Sequence, residues 1–162
     1  MALNDISDFI NIVLDHAIKN AEELTKEFTA DMTAEYAKLT PIDTGLAKGN
    51  WVAMVNDEPA GFSKEFDKTK TGNRAKKKAL KKLSKFKIHD TAYVKNGVVG
   101  GKKEFTKSGR RKKATEFTED GYIIKLEQGS SPQARTGFFK KTNIRSKAII
   151  KKSKRKLGLK RV

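Results

Sequence analysis

The chain predicts an α+β fold in a single domain, on three observations. Apolar residues recur at three- and four-residue steps through the first forty positions, as in an amphipathic helix. Short apolar runs bounded by Gly, Pro and Asn follow and read as strands. Strongly basic segments with helical spacing are interleaved with them. The order helix, strand, helix, strands, helix predicts a long N-terminal helix on a small, mostly antiparallel sheet. A short basic helix, an extended basic hairpin and a C-terminal helix complete it. At 162 residues, positions 1–162 fit one domain.

The first helix is expected over 5–39. Ile6, Ile10, Val13, Ala17, Leu24, Phe28, Tyr36 and Leu39 form its stripe, widened by Phe9, Leu14 and Ile18. Asn4 or Asp5 caps its start, and Pro41 ends it by pushing its predecessor out of the helical region. A helix this long exceeds what a small domain covers, so part of its face is expected on another subunit. "NWVAMV" over 50–55 reads as a strand, and 73–86 as a basic helix with Ala75, Ala79, Leu83 and Phe86 on one side. "TAYVKNGVV" reads as a strand running into a hairpin turn at Asn96-Gly97. Residues 98–121 form a basic, hairpin-like insertion, and "YIIKLEQG" over 122–129 is the next strand. The last helix, 138–156, turns Phe139, Ile144, Ala148, Ile149 and Leu157 towards one face, and 157–162 is a basic tail.

Charge separates the chain into two parts. Residues 1–62 carry 4 Lys/Arg against 11 Asp/Glu, a net of −7; residues 63–162 carry 32 against 8, a net of +24. The second part therefore suits a polyanion or an acidic protein surface, and one copy's acidic part can attract a neighbour's basic part. With no cysteine, disulfides and thiolate metal sites are excluded. The start, "MALNDISDF", is acidic and lacks a long apolar run, so no signal peptide is expected, and nothing approaches a membrane span.

One tripeptide suggests an enzyme. Asp43-Thr44-Gly45 spells the aspartic-protease half-site, whose aspartate must end a buried apolar strand and face a twin. Here Leu39-Thr40-Pro41-Ile42 precedes it, and Pro41 removes a donor that a central strand needs. The simpler reading is a turn in which Asp43 bridges local amides and Gly45 takes positive φ. His16 and His89 have no partner at metal or catalytic spacing; His16 is expected to be structural and His89 exposed. Gly100-Gly101 lacks phosphate-loop spacing. No catalytic residue, metal ligand or cofactor is expected.

Two blocks resemble a known family. "TPIDTGLAKGNW" is similar to the helix-to-strand junction of tail-completion, or neck, proteins of tailed bacteriophages, matching at Thr40, Pro41, Asp43, Thr44, Gly45 and Trp51. "YIIKLEQGSSPQARTGFF" is similar to the family's second block, at Tyr122, Leu126, Glu127, Gly129, Ser130, Gln133, Ala134 and Gly137. Two departures stand out: the long basic insertion after "TAYVKN", and Arg135 where the family usually has proline.

The resemblance implies a structural virion protein at the head–tail junction, assembled in the host cytoplasm. Its copies would form a ring, six favoured and twelve possible, between head-side connector or stopper proteins and the tail tube or tail terminator. The genome would pass through the lumen, and no membrane is involved. Pro41, Asp43, Thr44, Gly45 and Trp51 would form the structural turn and its core. Tyr122, Leu126, Glu127, Gly129, Ser130, Gln133 and Gly137 would form a loop or inter-subunit motif. Lys102, Lys103, Lys107, Arg110, Arg111, Lys112 and Lys113 are candidates for contact with DNA or an acidic partner. The alternative is a small basic nucleic-acid-binding protein.

Overall fold

A computed structural model describes residues 3–42, 45–56, 61, 63, 65–98, 100–101, 117–118, 137 and 139–159. Helix α1 spans Leu3–Leu39, followed by the one-turn helix α2, Leu46–Gly49, and strand β1, Trp51–Val55. Helix α3, Asn73–Lys82, runs into a 3-10 turn at Leu83–Lys85 and then strand β2, Ala92–Asn96. Two-residue strands β3, Gly100–Gly101, and β4, Phe117–Thr118, precede the C-terminal helix α4, Phe139–Lys156. The fold is α+β, as the sequence predicts: long N-terminal helix, antiparallel sheet and C-terminal helix pack against one another.

The sheet is antiparallel, with β1 on β2 and Trp51 opposite Asn96, Ala53 opposite Val94 and Val55 opposite Ala92. Alanine dominates the core, which brings backbones close together. Ala30, Ala53, Ala79, Leu83 and Phe86 form one cluster between α1, β1 and α3; Ala37, Ala47, Trp51 and Ala75 form another. Gly72 extends the pattern: a Cβ there would collide with the Ala34 carbonyl, so α3 starts directly on the backbone of α1.

Several expectations are corrected. Helix α1 begins at Leu3, so Asn4 and Asp5 lie within its first turn rather than capping it. The basic helix gives way to a 3-10 turn after Lys82. Asn96-Gly97 is not a hairpin turn, because β2 pairs with β1 and Gly97 extends that ladder, its N–H donating to the Asn50 carbonyl at 3.1 Å. The Asn96 side chain instead accepts the Val98 N–H at 2.9 Å and donates to the Ala47 carbonyl at 2.8 Å. The insertion has its own ladder, Gly100 opposite Thr118 and Gly101 opposite Phe117. On α4 the inward face carries Phe139, Thr142, Ile149 and Ser153, while Ile144 and Ala148 are exposed. The two small hydroxyl residues let α4 approach α1, which a search for large apolar residues overlooks. His16 is exposed, not structural, and His89 is exposed.

Candidate functional site

Residues 40–51 form the joint between α1 and β1. Thr40 is buried, donates its hydroxyl to the Tyr36 carbonyl at 2.7 Å and accepts the Trp51 indole N–H at 2.7 Å. The Trp51 ring stacks on Tyr36 with centroids 4.8 Å apart, and Phe139 sets its edge against both at 5.6 and 6.1 Å. The Tyr36 hydroxyl donates to Asn143 at 2.8 Å. One aromatic cluster thus locks α1, β1 and α4 together, with Pro41 buried beside it.

The second half of the joint is held by close backbone contact. Gly45 has φ +84°, and its carbonyl accepts the N–H groups of Gly49 at 3.0 Å and Asp67 at 2.9 Å. A Cβ on Gly45 would lie 2.7 Å from the Asp67 carbonyl oxygen, and one on Gly49 would run into the Glu65 carbonyl. Asn50 is buried, donates to the Leu46 and Ser63 carbonyls at 2.8 and 2.9 Å, and accepts the Ser63 N–H at 2.7 Å. Gly49 and Asn50 lie inside "TPIDTGLAKGNW" without being among its matched positions, and Asp67 lies outside it, so the sequence does not mark these three as the residues that hold the joint. Lys48 is 1% exposed, and among the described residues neither its ammonium nor Asp67 Oδ2 has a hydrogen-bond partner. Burial pushes the Lys48 amine below its ordinary value, opposed by the charge of Asp67. The element leading to Asp43 is the end of a helix rather than an apolar strand.

An acidic row on α1 consumes part of the chain's charge asymmetry internally. Glu27, Asp31 and Glu35 sit four residues apart and face α3 and α4. Lys76 of α3 donates to Glu27 at 3.2 Å and to Asp31; Lys156 of α4 donates to Glu27 at 2.6 Å; Arg145 pairs with Glu35. Ser153 adds a 3.3 Å hydrogen bond to Asp31. Burial pushes the Glu27 carboxyl up, but its hydrogen bonds and ion pairs with Lys156 and Lys76 outweigh this and hold it below the usual range. Burial also opposes the charge on Lys76, yet Asp31 and Glu27 raise it above its ordinary value.

Among the described residues, two surfaces stand clear of these contacts. Ile6, Phe9, Ile10, Ile12, Val13, Leu14 and Ile18 of α1 all stand in solvent, Phe9 at 66% exposure. Residues 6–20, every one exposed, project about 22 Å beyond the packed body at about 1.5 Å per residue. The outer face of α4 presents Lys140, Lys141, Lys147, Lys151, Lys154 and Arg155, all exposed. A cleft of about 410 Å³ between α1, α3 and α4 mixes Asp31 and Glu35 with Lys38, Lys70, Lys76 and Lys152, so it selects no one sign of ligand.

The remaining predicted site residues divide cleanly. Gly137 is buried with φ +71°, two residues before α4. Asp43, Thr44, Tyr122, Leu126, Glu127, Gly129, Ser130, Gln133, Lys102, Lys103, Lys107, Arg110, Arg111, Lys112 and Lys113 lie outside the described residues. Among the described residues no group of three His, Cys, Asp or Glu can hold a metal ion, and no helix is long and apolar enough to cross a membrane. No protein-family model, curated protein or solved structure matches the chain.

Proposed function

We propose that the protein is a non-enzymatic structural subunit of the neck of a tailed-phage virion. It forms a ring, six copies by resemblance, that joins the head-side connector or stopper to the tail tube or its terminator. The genome passes through the lumen. The observation that carries this reading is the N-terminal part of α1, apolar and wholly exposed in a single protomer. A stable free monomer rarely leaves so much contiguous apolar surface in water. The resemblance of two sequence blocks to neck proteins supports this identity for the assembly.

The test is assembly. Negative-stain images and native mass measurement of the purified protein are expected to show closed rings. Particles lacking it should accumulate as separate heads and tails, and normal joining in its absence would overturn the reading.

A second reading is favoured by the exposed cations of α4 together with Arg74, Lys77, Lys81 and Lys82 of α3. In it the protein is a small nucleic-acid-binding protein. A defined duplex affinity in the monomer, falling steeply with salt, would support it. Rings with weak DNA binding at physiological salt would count for the neck.

A further inference from the structure

The exposed part of α1 follows a strict helical seam. Ile6, Ile10, Val13, Ala17 and Leu24 alternate steps of four and three residues, with one seven-residue step across Asn20, so they occupy the a and d positions of a heptad. Leu14, Ala21 and Phe28 fall at e and Phe9 at g, while Ile18 at b and Ile12 at c lie off the seam. The same line continues into Asp31, where α4 covers it through Ser153. The cover then runs out. Lys156 reaches Glu27, and α4 stops in a left-handed turn at Gly158, with the Leu159 N–H on the Lys154 carbonyl at 3.0 Å and the Gly158 N–H on Arg155 at 3.1 Å. Leu24 and Ala21 are still half-buried, and from Asn20 back to Ile6 the seam is bare.

From this geometry we infer that the arm, residues 6–20, packs in parallel against the arms of other copies of the same chain. The inference rests on the ring reading and locates the contact that closes it. Four features select a second copy as the occupant. Five side chains on the seam or its flanks, Ile6, Phe9, Ile10, Val13 and Leu14, leave on the order of 80 Å² each in water, so a single pair of arms offers about 800 Å², a weak contact that a closed ring repeats at every neighbour. Elsewhere the exposed large apolar side chains among the described residues are the scattered Phe66, Ile88, Tyr93 and Ile144, so the surface that matches an arm is another arm. Asp8 and Asp15 both fall at f, the outermost position, so identical arms meet without like charges across the seam. Acidic residues there also disfavour an anionic lipid surface, which attracts lysine and arginine. The stripe spans a, d and e, wider than a two-helix seam. Each arm therefore touches two neighbours, as closed cyclic symmetry requires.

The arm residues are exposed in the protomer, so the seam can be altered without disturbing the body. Light scattering on the full-length protein is expected to give a multi-copy species for the natural sequence and a monomer for the double substitution Ile10→Asp, Val13→Asp. Far-UV circular dichroism and thermal unfolding of the body should be retained. Because the chain has no cysteine, Val13→Cys treated with a short bis-maleimide should yield a cross-linked dimer, and Asp15→Cys much less. A monomeric natural protein overturns the inference, and one that sediments with anionic vesicles reassigns the arm to lipid. Rings that persist in the double variant overturn the arm contact and leave the neck reading standing. Arm-dependent assembly of a protein that heads and tails do not need leaves the arm contact standing and removes the neck.

Discussion

The indole of Trp51 donates to the hydroxyl of Thr40 at 2.7 Å, and that hydroxyl donates in turn to the carbonyl of Tyr36, the residue on which Trp51 stacks. The relay ties the last turn of α1 to the first residue of β1 across the motif. It gives the threonine and the tryptophan of "TPIDTGLAKGNW" one shared physical task.

Thr40→Val keeps the shape and removes both hydrogen bonds. It is expected to cost about 1–3 kcal/mol, because the indole N–H loses the Thr40 acceptor in a buried setting. Thr40→Ser retains the hydroxyl and should cost less. Urea unfolding is the measurement, with a lower midpoint at unchanged slope as the expected result.

Gly49→Ala and Gly72→Ala each place a methyl group into a backbone carbonyl, of Glu65 and of Ala34. Overpacking of this kind is expected to cost about 1–3 kcal/mol. Gly158→Ala meets nothing within 4 Å and carries only the penalty of its positive φ, about 1 kcal/mol. A ranking with Gly158→Ala as the most damaging would contradict the packing described for α3 and the joint.

The Glu27 network predicts a sign for pH dependence. A carboxyl held below its ordinary value of 4.5 stabilises the fold above that pH, and the contribution is lost as pH falls through the folded value. Lys76, raised above 10.5, contributes below that pH and loses its contribution as pH rises through its folded value. Glu27→Gln should therefore lower stability at pH 7 and flatten the acid limb of a plot of Tm against pH. An unchanged acid limb would show that the network carries no net stability.

Lys48 and Asp67 make the opposite case. A buried ammonium without a hydrogen bond lowers stability near neutral pH, because folding disfavours its charged form. The double substitution Lys48→Met, Asp67→Asn is expected to be as stable as the natural chain or more so, by up to about 2 kcal/mol. Either single change, leaving one charge alone in the interior, should be less stable than the double. A thermodynamic cycle over the four proteins checks this.

Periodicity alone determined the long first helix, because its apolar residues keep helical steps for ten turns. Pro41 marked where it ends, and the β-rich run from Trp51 was readable from its residue types. The sequence also determined the arm's unsatisfied seam, since a stripe that long needs more cover than one small domain supplies. Only the tertiary structure decided where that cover stops: α4 ends beside Glu27, Leu24 and Ala21 are still half-buried, and residues 6–20 are bare. Tertiary contact likewise made Thr142 and Ser153, rather than Ile144 and Ala148, the inward face of α4, because close helix approach favours small side chains over large apolar ones. It also turned Asn96-Gly97 from an apparent hairpin into the end of a strand, since pairing with β1 satisfied more backbone than a local turn would. Finally, it put Glu27, Asp31 and Glu35 against cations more than forty residues away in sequence. Charge counting shows the imbalance between the two parts of the chain, but only folding decides which charges meet.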